Sequence, residues 1–87
     1  MSTFQIQISS RAKKDLRKIA PSAQKRIISA IKLLQENQKP RQFKPLGSHE
    51  VAQFRLRVGD YRILYDIYSA KKTILILKIG YRKDIYR

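Results

Sequence analysis

The sequence contains no cysteine, so neither a disulfide nor a thiolate metal site contributes to its fold. That fits a reducing compartment. Its single histidine, His49, has only Glu50 as a nearby acid, and the six carboxylates are scattered along 87 residues. These groups offer no metal cluster and no carboxylate set for two-metal phosphodiester chemistry. His49 therefore reads as a loop surface residue rather than a general base. No glycine-rich phosphate loop occurs, and no apolar run approaches the length of a membrane span. The start, Met1-Ser2-Thr3-Phe4-Gln5, lacks the basic-then-apolar order of a secretory signal. We expect a single domain over residues 1–87, cytoplasmic, with no cofactor, no metal and no membrane partner.

What the chain has in surplus is positive charge. Twenty Lys and Arg against six Asp and Glu leave a formal net charge of +14. Self-repulsion on this scale opposes compaction, so the excess points to a polyanionic partner, nucleic acid first and an acidic protein second.

The hydrophobic pattern changes period along the chain. Phe4, Ile6 and Ile8 alternate with Gln5, Gln7 and Ser9, as in a half-buried strand. Ser9 or Ser10 then caps a helix whose apolar stripe is Ala12, Leu16 and Ile19. Pro21 breaks this pattern and opens a second helix to about Gln35, with Ala23, Ile27, Ala30, Ile31 and Leu34 as its stripe, widened by Ile28 and Leu33. The two form a helical hairpin. Residues 37–50, with Pro40, Pro45 and Gly47, read as a loop. Three strands follow, around Phe54–Val58, Tyr61–Ile67 and Thr73–Ile79. The expected fold class is α+β: an N-terminal strand, a helical hairpin, then a three-stranded antiparallel meander, in two layers.

Gly59-Asp60 between two alternating runs signals a two-residue hairpin. Counting outward pairs Val58 with Tyr61, Arg57 with Arg62, Leu56 with Ile63, Arg55 with Leu64 and Phe54 with Tyr65. One face then carries the apolar members and meets the helices, while Arg55, Arg57 and Arg62 share the other. Paired like charges destabilise a sheet by about 0.2–1 kcal/mol, and only Asp66 stands near, diagonal to Arg55. Arginines gathered at a cost point to an anion site, since the guanidinium fork suits phosphate oxygens. On charge alone, Arg62→Gln should hold or raise stability. Continuing a period of two from Ile74 and Ile76 through Lys78 brings Arg82 to the same face. Lys78, Lys83 and Arg55 join it as phosphate contacts, and Tyr86 can stack on a base or pass a proton.

The run Phe54-Arg55-Leu56-Arg57-Val58-Gly59-Asp60-Tyr61-Arg62-Ile63-Leu64-Tyr65-Asp66-Ile67, preceded by Lys44-Pro45-Leu46-Gly47 and followed by Ile79-Gly80-Tyr81-Arg82-Lys83-Asp84-Ile85-Tyr86-Arg87, closely resembles toxins of the RelE/ParE superfamily. The similarity spans essentially the whole chain. For the RelE type it implies a ribosome-dependent endoribonuclease that acts on mRNA in the ribosomal A site. The 2′-hydroxyl attacks its own phosphate and leaves a 2′,3′-cyclic phosphate. It further implies a toxin–antitoxin hetero-oligomer with an acidic, RelB-like antitoxin. By position, Arg55 and Arg57 match two basic residues on the strand before the hairpin. Arg62 matches the transition-state-stabilising arginine, Arg82 the proposed acid and Tyr86 the C-terminal tyrosine. Where RelE proteins can carry lysines, this chain has Arg55 and Arg57. Arginine does not give up its proton, so Arg57 and Arg62 read as phosphate clamps and the general base is Tyr86 or a polarised water. A ParE-like toxin acting on DNA gyrase is the second reading. A non-catalytic RNA- or ribosome-binding module is the third.

Overall fold

The computed structural model describes residues 3–40, 43–46 and 52–82. Alternation gives the first strand, β1 (Gln5–Ile8), with Ile6 and Ile8 half-buried and Gln5 and Gln7 exposed. Ser9 ends it and caps helix α1 (Ser10–Arg17), its Oγ accepting from the Ala12 amide at 3.0 Å. Helix α2 (Pro21–Leu33) opens on proline, whose missing N–H is no loss in a first turn. The two helices are tied by Gln24, whose side-chain amide donates to Leu16 O and Ile19 O, both at 2.8 Å. The Ile19 carbonyl lies past the end of α1, and Leu16 O also accepts from the Ile19 amide at 3.1 Å. Ile27, Ile31 and Leu34 are buried as their spacing requires. Ile28 and Leu33 do not widen that buried stripe. Both are exposed, Leu33 at 66%.

The sheet order is β1-β5-β4-β3-β2. Strands β3 (Phe54–Val58), β4 (Tyr61–Tyr68) and β5 (Thr73–Tyr81) make the antiparallel meander expected from the alternation. β1 lies parallel on β5, Gln5 beside Thr73 and Ile8 beside Ile76. The fifth strand is β2 (Phe43–Pro45), antiparallel on β3. This corrects the reading of residues 37–50 as loop throughout. Three residues are too few to show alternation, and Pro45 is tolerated because β2 is an edge strand. An aromatic ladder holds it. The Phe43 ring lies 5.2 Å from Phe54, and Phe54 lies 5.7 Å from Tyr65.

The helices cover one face of this sheet. Leu56, Ile63, Tyr65, Ile74, Ile76 and Ile79 meet Ala12, Ile19, Ile27, Ile31 and Leu34 in the main core. On the opposite face Leu64 and Ala52 form a smaller buried cluster with Leu46 and Leu77. The meander is therefore not bare on its second side. Leu77 is the extra residue of a β-bulge, because Tyr65 pairs with Ile76 while Leu64 pairs with Lys78. The bulge lies where β1 stops covering β5. Ser9 donates its amide to Ile76 O at 2.9 Å and its hydroxyl to Leu77 O at 3.0 Å, and Asp15 accepts from the Ile79 amide at 3.0 Å. Ser9 and the α1 residue Asp15 thus satisfy the edge that β1 leaves open. Among the described residues no helix is long and apolar enough to cross a membrane.

Tyr65 is fully buried and donates to Gln38 O at 2.8 Å. Desolvation of its phenolate pushes the phenol well above the usual tyrosine range. A folded-state value above the unfolded one means stability that is complete below about pH 10 and falls as pH rises further. Relative to Tyr65→Phe, the parent is expected to be more stable by about 1 kcal/mol at neutral pH, from the lost hydrogen bond. Above pH 10 that advantage should shrink, by up to about 1.4 kcal/mol per pH unit. Urea unfolding of both proteins across the alkaline range checks it. A gap that stays constant would show that Tyr65 does not titrate as a buried group.

Candidate nucleic-acid interface

The β3–β4 hairpin has the register that its turn residues dictate. Phe54 pairs with Tyr65, Arg55 with Leu64, Leu56 with Ile63, Arg57 with Arg62 and Val58 with Tyr61. Gly59 has φ +59°, whereas Asp60 stays at negative φ, the signs of a type II′ turn with glycine first. Because Leu56, Ile63 and Tyr65 face the helices, alternation turns Arg55, Arg57 and Arg62 to the other side. Neither Arg57 nor Arg62 is buried.

Two rows of side chains cross that face. One runs Lys44, Arg55, Leu64, Lys78 over β2 to β5, and the next runs Arg57, Arg62, Gly80. Lys44 is a member that the loop reading of its segment had hidden. Gly80 presents no side chain opposite Arg62. Lys78 reaches the face by a different route from the one its spacing implied. Ile74 and Ile76 are buried on the helix side, and Leu77 in the bulge shifts the alternation by one. From Lys78 onward the even positions therefore lie on the arginine face, with Gly80 next. Arg82 stands one step beyond the strand, its amide donating to Asp60 O at 2.9 Å, which fixes it beside the hairpin tip. Lys83 and Tyr86 lie outside the described residues, as does His49.

The arginines of the face differ in what holds them. Arg62 curls over the tip, Nη1 donating to Gly59 O at 3.1 Å and to Tyr61 O at 3.0 Å. Arg57 is exposed and makes no hydrogen bond to a described residue. Arg55 is half-buried, and its Nε is shut off from solvent without an acceptor. A buried donor left in that state costs about 1–3 kcal/mol, which an anion arriving at the face would help to recover. Asp66 does not neutralise it. Its carboxylate accepts from the Gln53 amide at 2.7 Å and from the Tyr68 hydroxyl at 3.4 Å. Among the described residues the one ion pair is Arg11–Asp15, on α1. The face gathers forked guanidinium donors and two lysines on one side of the sheet, an arrangement suited to binding and polarising a phosphodiester. Beside it, Ala30, Leu33, Pro40, Leu56 and Val58 line an open apolar groove of about 540 Å³ that ends at Arg57 and Gly59.

Comparison with known proteins places the chain in a family. The signature described as "ParE toxin of type II toxin-antitoxin system, parDE" matches residues 6–86. The chain belongs to that toxin family. Within the RelE/ParE superfamily its relatives are RelE-type. It is 32% identical to toxin RelG of Mycobacterium tuberculosis, over 97% of each chain. Among solved structures it is similar to a chain of the RelBE2 toxin–antitoxin complex of M. tuberculosis, with a TM-score of 0.83, 28% identity and 97% of each chain covered. It is also similar to a chain of the archaeal RelE–RelB complex of Pyrococcus horikoshii, with a TM-score of 0.81 and 26% identity over 94% of this chain and 98% of that one.

The two paired arginines should separate in a stability measurement. Arg57→Gln removes a charge and no hydrogen bond, so stability is expected to hold or to rise by at most about 1 kcal/mol. Arg62→Gln also loses two bonds to tip carbonyls, which charge counting alone does not reveal. It is expected to cost about 1–2 kcal/mol, correcting the expectation that its removal is neutral or favourable. Chemical unfolding of the two variants decides this, and equal stabilities would mean that the Arg62 bonds to the tip carry no weight.

Proposed function

We propose that this toxin is a ribosome-dependent endoribonuclease whose catalytic face is the β3–β4–β5 surface around Arg57 and Arg62. The observation that carries the reading is the direct pairing of Arg57 with Arg62, flanked by Lys44, Arg55 and Lys78 on the face turned away from the helices. In this scheme the mRNA 2′-hydroxyl attacks the adjacent phosphorus. Negative charge builds on the non-bridging oxygens, where the forked donors of Arg57 and Arg62 become stronger partners than in the ground state. Neither arginine moves a proton. Tyr86 or a water takes the proton of the 2′-hydroxyl as the O2′–P bond forms. The P–O5′ bond breaks, and the leaving oxygen, beside Arg82, takes a proton from water to become a 5′-hydroxyl. Arg55, Lys78 and Lys83 hold neighbouring phosphates.

The charge of +14 and the type II toxin family together support an acidic, RelB-like antitoxin as the regulating partner in a cytoplasmic hetero-oligomer. The apolar groove ending at Arg57 gives such a chain an anchorage next to the site that it must block. The ParE signature favours a second reading, inhibition of DNA gyrase through protein contact on the same fold.

Mapping RNA 5′ ends in cells shortly after induction tests the proposal. Cuts positioned by codon, leaving 2′,3′-cyclic phosphate on the upstream fragment, are the expected outcome. They should vanish in Arg57→Gln while that variant remains folded. DNA damage without new RNA ends would support the gyrase reading instead.

A further inference from the structure

The hairpin tip is approached from its other side by an arginine outside the sheet. Arg26 of α2 lays its guanidinium against Gly59. A Cβ built on that glycine would sit 2.5 Å from Arg26 Nη2, 3.5 Å from Cζ and 3.7 Å from Nη1. Arg26, Ala30 and Leu33 fall at i, i+4 and i+7, so the arginine stands at the end of the apolar groove formed by the other two with β3. Its side chain is exposed and makes no hydrogen bond to a described residue. The Gly59 carbonyl is already engaged by Arg62 Nη1 at 3.1 Å. Two guanidinium groups therefore flank one residue, Arg62 from the sheet face and Arg26 from the helix side. Arg82 is fixed at the same tip through Asp60 O, and the Asp60 carboxylate forms no ion pair with a described residue. An arginine that served only to cover the turn would find an acceptor there. This one keeps its donors without an acceptor among the described residues, at a tip that already holds the Arg62 guanidinium.

We propose that Arg26 is a phosphate-binding residue of the same RNA path. It holds a second backbone phosphate, so that the strand gripped by Arg57 and Arg62 continues over the Gly59–Asp60 tip toward α2. This rests on the RNA-cleaving reading and adds to it a direction for the bound strand. The lack of a side chain at Gly59 lets the two arginines act on one run of backbone, because any other residue would stand between them.

The test is binding of a short, mixed-sequence single-stranded RNA, 2′-O-methylated so that it cannot be cut, followed by anisotropy from about 50 to 200 mM salt. Arg26→Gln should weaken binding about three- to tenfold at the lowest salt and reduce the slope of log K against log salt by about 0.7, one single-strand phosphate contact. Arg26→Lys should restore the slope, and the melting temperature of both variants should match the parent. Lys71→Gln, at the far end of the sheet from the tip, serves as the bulk-charge control and should change neither affinity nor slope. An equal slope change in Lys71→Gln would overturn the proposal, because net charge alone would then account for the effect. So would a lowered melting temperature in Arg26→Gln with an unchanged slope, or a loss confined to binding of polyglutamate. Arg57→Gln in the same series separates the two claims. If it loses affinity and Arg26→Gln does not, Arg26 falls and the sheet face stands. If neither variant loses affinity, both fall.

Discussion

The site depends on the turn at Gly59. A positive φ there closes β3 onto β4 through two residues, and a two-residue loop leaves one register. Because side chains alternate, that register buries Leu56, Ile63 and Tyr65 and sets Arg57 beside Arg62 in a single step. The large apolar contact with the helices thus holds in place a charge pair that costs stability. Arg62 repays part of this by bonding the tip carbonyls, and so helps to keep the turn closed.

A second constraint acts at β5. If Leu77 were paired in regular alternation instead of bulged, Lys78 would follow Ile74 and Ile76 to the helix side, and a lysine would be forced into the core. The bulge turns it to the side that carries the arginines, while Leu77 joins Leu64, Ala52 and Leu46 in the small cluster on that face. Its carbonyl is satisfied by Ser9, the residue that also caps α1. One hydroxyl thus links the first helix to the geometry of the basic surface.

The hairpin and its arginines were legible in the sequence because turn chemistry and alternation are local. The strand, helical hairpin and meander were legible for the same reason, each carrying several periods of its pattern. β2 was not, since Phe43-Lys44-Pro45 is shorter than two periods and sits between prolines. The bulge was hidden because Ile74 to Leu77 is apolar throughout and shows no alternation that could reveal a slip. Lys78 therefore lies on the arginine face through the bulge, and not through the unbroken alternation that the sequence suggests. The bonds of Arg62 to the tip and the approach of Arg26 to Gly59 depend on rotamer and on helix–sheet packing, which no local pattern encodes.

If Arg57 and Arg62 grip one phosphate as a unit, their contributions to the transition state must be strongly coupled. The direct measurement is a double-mutant cycle on mRNA cleavage within a pre-assembled ribosome complex, using Arg57→Gln, Arg62→Gln and the pair. Shared action requires large single losses and a double variant little slower than the worse single one. Losses that multiply would mean separate roles, and a single variant that cuts at the parent rate would remove the arginine pair from the chemistry.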